Sequence, residues 1–370
     1  MRIIHCFRSP VGGLFRHVQD LVEAQHKAGH AVGVICDSST GTGAETRLEP
    51  FLSLGLIRVP MRRDIGPSDL GTTLALARRV RPLNPDILHG HGAKGGAYAR
   101  TIGTLLRASG KRVARIYTPH GGSLHFDAKT VAGRVYLGSE HVLGWMTDAF
   151  VFVSRYEADA YIAKVARTTR PMAVVRNGLR PDEFEPVTPG PDARDFLFIG
   201  ELRDLKGPDL FIGALALLRH RNNTTPSAFI VGSGPDLPKY RAVVRELGLT
   251  DAIEFRGPMP VREALALAHA VVVPSRAESM PYIVLETIAA GVPLVATRVG
   301  GIPEIYGKEA GRLVPPDDAP ALADAMWSVT NRPQTSREFA EKLAASIRGE
   351  FSIETMAAAI QAVYLTATVR

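Results

Sequence analysis

Ala270-Val-Val-Val273-Pro274-Ser-Arg-Ala-Glu278-Ser-Met-Pro281-Tyr-Ile-Val-Leu-Glu286-Thr-Ile-Ala-Ala-Gly291-Val-Pro293 decides the reading of this chain. The apolar run that ends at Val273 has the length of a strand buried on both faces, so Glu278 falls in the loop past its carboxyl end. Open α/β sheets bind ligands there. Pro281 is tolerated in the first turn of a helix, Ile283 to Ala290 continue it, and Gly291 with Pro293 stops it. Glu278 therefore precedes a short helix and Glu286 lies inside it. Unpaired backbone N–H groups around Ser279, Met280, Pro281 and Tyr282 favour a phosphate or a sugar hydroxyl. A carboxylate accepts two hydroxyls at once, which suits vicinal diols on a hexose and on a ribose. Taken alone, the two glutamates are better read as a helix cap, Glu278, and a solvated outer helix face, Glu286.

Working outward, the same alternation of strand, loop and helix recurs. Arg2 to Phe7 is a β-branched run that leads through Gly12 and Gly13 into a helical pattern ending at Gly29. Glycines let a backbone approach a ligand closely, and a helix start attracts anions, although a Gly-Gly pair also fits a plain tight turn. Strands are expected at Ala31–Cys36 and Ile57–Val59, with a helix over Asp69–Val80. Asp86 to His89 reads as a strand entering a glycine-rich loop, with a helix from about Lys94. His89 and His91 alternate onto one face, but no third ligand of suitable spacing is visible, so packing is favoured over a metal. Arg112–Tyr117 is another strand, followed by Thr118-Pro-His120-Gly-Gly122, where a histidine exposed at a strand end has little packing role. Val151–Ser154 and Met172–Gly178 complete a first domain, and the proline-rich Pro181–Pro191 reads as a linker.

The second half restarts with Phe196–Gly200, then Glu201-Leu-Arg203-Asp-Leu-Lys206-Gly207 and a helix. Ala228-Phe-Ile-Val-Gly232-Ser-Gly234 imitates a dinucleotide fingerprint, but Leu237 stands where a small residue is needed, which makes it weak evidence for NAD. Ile253–Gly257 is a further strand and loop, and Ile353–Leu365 a final helix. Two doubly wound domains follow, at 1–180 and 192–350, with 351–370 as a terminal helix.

Composition is that of a soluble globular protein, with 370 residues, 45% hydrophobic and 22% charged, enough for two cores. No run of 18 uncharged apolar residues appears, and the apolar start is too short for a signal peptide's core, so a cytoplasmic location is expected. Cys6 and Cys36 read as reduced core residues. Residues 1–170 hold 23 Lys and Arg against 13 Asp and Glu, whereas 171–370 hold 21 against 24. A basic amino-terminal half suits an acidic partner, such as an anionic membrane surface or a phosphate-carrying acceptor. Nucleic acid is disfavoured, since the basic residues come in dispersed pairs without interleaved aromatics. The preponderance of arginine over lysine, 35 to 9, also fits a genomic bias.

Glu278 to Glu304 resembles the donor-binding segment of the retaining GT-B glycosyltransferases of family 4, and the likeness extends over nearly the whole chain. That resemblance implies two facing Rossmann-like domains with a cleft between them, and a nucleoside diphosphate sugar as donor. It implies that Glu278 contacts the donor sugar, Glu286 the ribose and His120 the transferred sugar. Gly12 and Gly13 match the cleft loop, Lys206 and Gly207 the diphosphate turn, and the loop at Gly257 the base region. The family's usual arginine is replaced by Glu201, which makes Arg203 a candidate second cation beside Lys206. No Asp-x-Asp pair occurs, so metal independence is expected and no cofactor beyond the donor. The inferred reaction is hexosyl transfer to an acceptor hydroxyl with retention, the acceptor lipid-linked or a polysaccharide, at the inner membrane face. Glu286 is expected to be an exposed carboxylate. A nucleotide-sugar 2-epimerase and a non-catalytic nucleotide-sugar-binding protein are the alternatives.

Overall fold

The computed structural model describes residues 1–39, 43–62, 64, 66, 68–222 and 226–369. The chain divides into two compact units, Met1–Gly178 with Ile353–Arg370, and Leu179–Ser352.

Unit 1 contains β1 (Arg2–Cys6), α1 (Gly12–Lys27), β2 (Ala31–Asp37), β3 (Leu56–Val59), α2 (Ser68–Val80), β4 (Ile87–His91), α3 (Gly92–Ala108), β5 (Ala114–Thr118), α4 (Val131–Trp145), β6 (Ala149–Phe152), α5 (Arg155–Lys164) and β7 (Met172–Val174). Its sheet runs β3-β2-β1-β4-β5-β6-β7 and every pairing is parallel, with Ile3 opposite Val32 and Ile4 opposite Leu88. Alternation along the strands divides the core. Ile4, Cys6 and Leu88 pack with Leu76 and Val80 of α2 and Tyr98, Ile102 and Leu106 of α3, whereas Ile3, Ile87, Ile116 and Val151 pack with Leu21 of α1 and Met356, Ile360 and Tyr364. Those last three lie on the terminal helix. Burying Met356 and Ile360 contributes about 1.5–3 kcal/mol each.

The helix expected from about Lys94 starts at Gly92, directly after β4, with no intervening loop. Close packing explains the difference. A side chain at Gly95 would meet the Cys6 carbonyl oxygen at 2.2 Å, so glycine lets the first turn of α3 rest on β1. The glycines serve contact between helix and sheet rather than a loop.

Unit 2 contains β8 (Arg194–Ile199), α6 (Pro208–Asn222), β9 (Ala228–Val231), α7 (Leu237–Glu246), β10 (Ile253–Arg256), α8 (Val261–Leu265), β11 (Ala268–Val273), α9 (Tyr282–Ala289), β12 (Leu294–Ala296), α10 (Ile302–Tyr306), α11 (Ala319–Asn331) and α12 (Pro333–Ile347); α13 (Ile353–Thr368) is the terminal helix of unit 1. The parallel order is β10-β9-β8-β11-β12. Residues 181–191, expected as a linker, are part of this unit. Val187 N–H donates to Ala290 O at 2.9 Å and Gly190 N–H to Ala266 O at 2.8 Å, which ties the prolines to the domain surface. In both sheets the strand order reverses once, between β1 and β4 and between β8 and β11. Crevices at carboxyl ends open at such reversals.

Candidate active site

The reversal in unit 2 brings the end of β8 beside the end of β11, and two sequence segments 72 residues apart meet there. After β8 the chain makes a single turn, Asp204–Lys206, closed by Gly207 at φ 70°. A side chain at Gly207 would lie 2.2 Å from Pro274 O, so only glycine gives both the left-handed conformation and the close approach. Arg276 N–H donates to Leu205 O at 2.9 Å. From the β12 side, Thr297 Oγ1 donates to Ser275 O at 2.6 Å and Gly301 N–H to Ser279 O at 2.9 Å. Gly300, at φ 57°, lies so close that a Cβ would sit 1.8 Å from Glu278 O. The Glu278 loop is thus held from three strands.

On this frame Lys206 Nζ donates to Glu278 Oε1 at 2.6 Å, and Ser275 Oγ donates to the same oxygen at 2.8 Å. The lysine side chain is 28% exposed and the glutamate 9%, so one carboxylate is sunk in the loop with its cation at the rim. Arg276 follows the same plan: it forks onto Asp209 at 2.6 and 2.9 Å and reaches Asp317 at 2.6 Å, and these bonds raise its pKa above the usual guanidinium range. Arg203 pairs with Glu201 at 3.5 Å, both side chains well exposed. Asp204 accepts from Tyr240 Oη at 2.8 Å and from Lys239, and these bonds lower its pKa.

Glu286 differs from expectation. It is 8% exposed, near Met280 at 5% and Tyr282 at 7%. The reason lies in α9, where Val284, Leu285 and Ile288 are also covered: a helix apolar on all sides is buried on all sides. Ser279, Met280 and Pro281 form the entry to α9, with Pro281 at its N-cap. Gly232 follows β9, and a Cβ there would lie 2.0 Å from Gly200 O. Gly257 follows β10 at the sheet edge, exposed and remote in strand order from the β8/β11 reversal.

Unit 1 carries the remaining candidates. Gly12, at φ 69°, and Gly13 are exposed at the start of α1. His120 has φ 51°, a left-handed conformation rare for a residue with a side chain. The loop that holds it is fixed by Glu157, a residue the sequence did not single out. Glu157 accepts from Gly121 N–H through one oxygen and from Val153 N–H at 2.9 Å through the other, and burial pushes its pKa up to about 7.

His89 and His91 were expected to lack further metal-type neighbours, and here the structure corrects the expectation. Strand ends and α1 bring His5, His17 and His120 to them. His5 lies 3.0 Å from His91, and His91 Nδ1 lies 3.1 Å from His120 Nε2. His89 contacts Tyr364 Oη at 2.6 Å and Thr118 Oγ1 at 2.8 Å. Burial holds all five imidazoles in the neutral form: His5 and His17 are pushed down to about 4, and His89, His91 and His120 lie well below the usual range. Spacing along the chain could not reveal this, because the five come from four segments joined only by the parallel sheet.

The two α/β units with parallel sheets define the GT-B fold, as comparison with solved structures shows. Sucrose-phosphate synthase from Thermosynechococcus elongatus superposes with a TM-score of 0.80 at 21% identity, covering 100% of both chains. Anabaena HepE in complex with UDP and glucose gives 0.81 at 17% identity, over 99% of this chain and 100% of that one. The family follows from sequence models: Glycosyltransferase Family 4 matches residues 11–183, and Glycosyl transferases group 1 matches 193–332. Together they cover most of the chain, which belongs to the group 1, family 4 glycosyltransferases. A glycogen synthase of Mycobacterium tuberculosis is 26% identical over 96% of this chain and 92% of its own length. The D-inositol 3-phosphate glycosyltransferase of Corynebacterium urealyticum is 29% identical over 69% of this chain and 65% of its own.

Proposed function

We propose that this glycosyltransferase moves a hexosyl unit from a nucleoside diphosphate sugar to an acceptor hydroxyl with retention of configuration, without a metal. The observation that carries the reading is the Lys206–Glu278 pair at the β8/β11 reversal, 2.6 Å apart and set beside the Ser275 hydroxyl. A leaving diphosphate needs positioned positive charge, and Lys206 at the rim supplies it. When Lys206 turns to the diphosphate, Glu278 is left to accept sugar hydroxyls. Glu286 is assigned to the ribose, Arg203 to the diphosphate, and the α9 entry at Ser279–Tyr282 to anion or hydroxyl contacts. For His120, Gly12, Gly13, Gly232 and Gly257 the family resemblance alone supports the assignment. A departing phosphate oxygen can take the acceptor's proton on the same face of the sugar, which is the basis for retention.

A lipid-linked acceptor in cell-surface glycolipid or polysaccharide synthesis suits unit 1. A cavity of about 740 Å³ between α2, α3 and α4 is walled by Leu70, Ala97, Leu105, Val142, Leu143 and Met146. Leu70 on its wall is 70% exposed, and elsewhere on α4 Val131 and Trp145 are 76% and 69% exposed and Arg134 adds positive charge. Among the described residues no helix is long and apolar enough to cross a membrane.

A thermal-shift panel of nucleoside diphosphates and their sugars tests the donor. A ligand at a hundred times its Kd stabilises by about 2.7 kcal/mol. Binding of one nucleotide class, followed by NMR assignment of the product anomer as that of the donor, is the expected result. An inverted product refutes retention, and sugar epimerisation without an acceptor favours the epimerase.

A further inference from the structure

We propose that His17, His91 and His120 form a binding site for a divalent transition metal, selective for ions that take imidazole ligands, with zinc, cobalt and copper foremost. This site lies wholly in unit 1, and its third member, His120, is also the residue assigned above to the transferred sugar. The primary observation is an orphaned atom. His17 Nδ1 donates to Asn177 Oδ1 at 3.0 Å, which leaves the lone pair on Nε2, and that nitrogen is buried with no hydrogen-bond partner among the described residues. A fully buried acceptor without a donor is costly, and a cation removes the cost.

Its neighbours are already arranged as a second and third ligand. Gln25 fixes their tautomers. Its amide nitrogen lies 3.4 Å from Tyr364 Oη, so its carbonyl oxygen faces His5 and accepts from His5 Nε2–H at 2.8 Å. His5 Nδ1 is therefore bare and accepts from His91 Nε2–H, which in turn leaves His91 Nδ1 bare. His120 Nε2 lies 3.1 Å from that atom. Three imidazoles on one tetrahedral ion, at metal–nitrogen distances of about 2.0–2.1 Å, place their nitrogens about 3.3 Å apart and their ring centres about 5 Å apart. The ring centres here are 4.8, 5.4 and 5.7 Å apart, and the three ligand nitrogens lie within 4.8 Å of one another. A small rotation of the His17 ring closes the remaining gap.

The chemistry balances. His17 and His91 offer bare nitrogens, and His120 moves its proton from Nε2 to Nδ1 as Nε2 turns to the ion, so binding releases no proton and the complex carries the two positive charges of the ion. Asn177 behind His17, and His5 with Gln25 behind His91, are the outer partners that fix ring orientation at metal sites. His120, partly exposed, is the entry side and leaves a fourth position for water. The alternative triad of His5, His89 and His91 is less suited, because Tyr364 and Thr118 occupy both nitrogens of His89.

Chelator-treated full-length chain titrated with Co²⁺ alone tests the site by its visible spectrum, without any turnover. The expected result is one equivalent bound with the intense bands of four-coordinate cobalt, and affinity lowered at least tenfold in His17→Ala. Asn177→Asp, which places a carboxylate behind His17, should tighten binding by about tenfold, within the range found for outer-shell changes. Equal cobalt affinity in wild type and folded His17→Ala overturns the proposal, as does a pale six-coordinate spectrum. If His17→Ala does not fold, Asn177→Asp decides alone, and unchanged affinity refutes the site. Because no donor sugar is involved, failure of the glycosyltransferase reading would leave this result unaffected.

Discussion

Units 1 and 2 share the strand order around their reversals, yet the polar groups at the two sets of strand ends are of opposite kinds. At β8 and β11 the groups are charged and sit near the surface, with the Lys206 and Arg276 side chains about a quarter exposed. At β1 and β4 they are imidazoles with no exposure, joined to one another and to Gln25, Thr118 and Tyr364. Depth accounts for the difference. A rim cation keeps part of its hydration, whereas at full burial an ion costs several kcal/mol and a group that can be neutral at pH 7 replaces it. The polar end of unit 1 is therefore linked to protons, whereas that of unit 2 keeps its cations charged at the rim.

One feature of unit 1 strains this contrast, and breaking it gives the largest expected effect. Arg100 and Glu140 form a fully buried ion pair at 2.9 Å, with Tyr117 Oη and Ser123 Oγ also donating to Glu140. Glu140→Ala strands the guanidinium without its counter-ion and should destabilise unit 1 by about 3–5 kcal/mol. The chain's two tryptophans, Trp145 and Trp327, fall one in each unit. Denaturation of single-tryptophan variants thus reads the units separately. A loss under about 1 kcal/mol at Trp145 would show that the pair is not a structural requirement.

Within unit 2 the rim lysine is the corresponding test. Lys206→Ala should reduce turnover about a hundredfold, a loss of roughly 2.7 kcal/mol in transition-state stabilisation. The measurement is steady-state kinetics at saturating donor. A mere rise in KM at unchanged kcat would instead assign Lys206 to ground-state binding.

Local pattern carried most of the fold. Apolar runs bounded by glycine and proline located the strands at Arg2, Ala31, Ile87, Phe196 and Ala270 within a few residues, and placed Glu278 before α9 and Glu286 inside it. Burial of Glu286 was not legible, because a single carboxylate in an apolar helix reads as an outward face until tertiary cover is known. The histidine cluster was invisible for a different reason: residues 5, 17, 89, 91 and 120 share no spacing, and only parallel register brings Ile4 opposite Leu88 and His5 opposite His89. Gly300 and Glu157 escaped notice likewise, since each acts through backbone contact across strands.

Proton linkage sharpens the comparison next. In the metal-free chain, a histidine depressed from 6.5 to about 4 binds a proton only when unfolded at pH values between the two, so unfolding takes up protons and stability falls as pH falls. Glu157, raised from 4.5 to about 7, has the opposite sign: its contribution is complete at low pH and lost as pH rises through 7. Six lowered histidines, the five of the cluster and His30, oppose one raised carboxyl. Unit 1 should therefore lose stability as pH falls below 6.5, by up to about 1.4 kcal/mol per pH unit for each of His5 and His17, before unit 2 does. Hydrogen exchange followed from pH 7 to 5 reads both units, and equal loss of protection in the two would remove the distinction.

The smallest effect concerns the departure from the family pattern at Glu201. Arg203 stands at the start of the Asp204–Lys206 turn in extended conformation, and its contact with Glu201 is long and exposed. Such a pair contributes between nothing and about 1 kcal/mol, so a dianionic diphosphate can draw the arginine away from it at little cost. On the proposed reading Arg203 would then share the leaving group with Lys206, with Glu201 restraining the arginine in the ligand-free chain. Arg203→Ala should lower turnover about tenfold, or roughly 1.4 kcal/mol, less than Lys206→Ala because its guanidinium must first be released. Glu201→Gln removes the competing carboxylate and should tighten donor binding two- to threefold, about 0.5 kcal/mol, while leaving kcat near wild type. Full turnover in Arg203→Ala, together with unchanged donor affinity in Glu201→Gln, would mean that the pair is only a surface contact and that Lys206 alone supplies the side-chain charge at the leaving diphosphate.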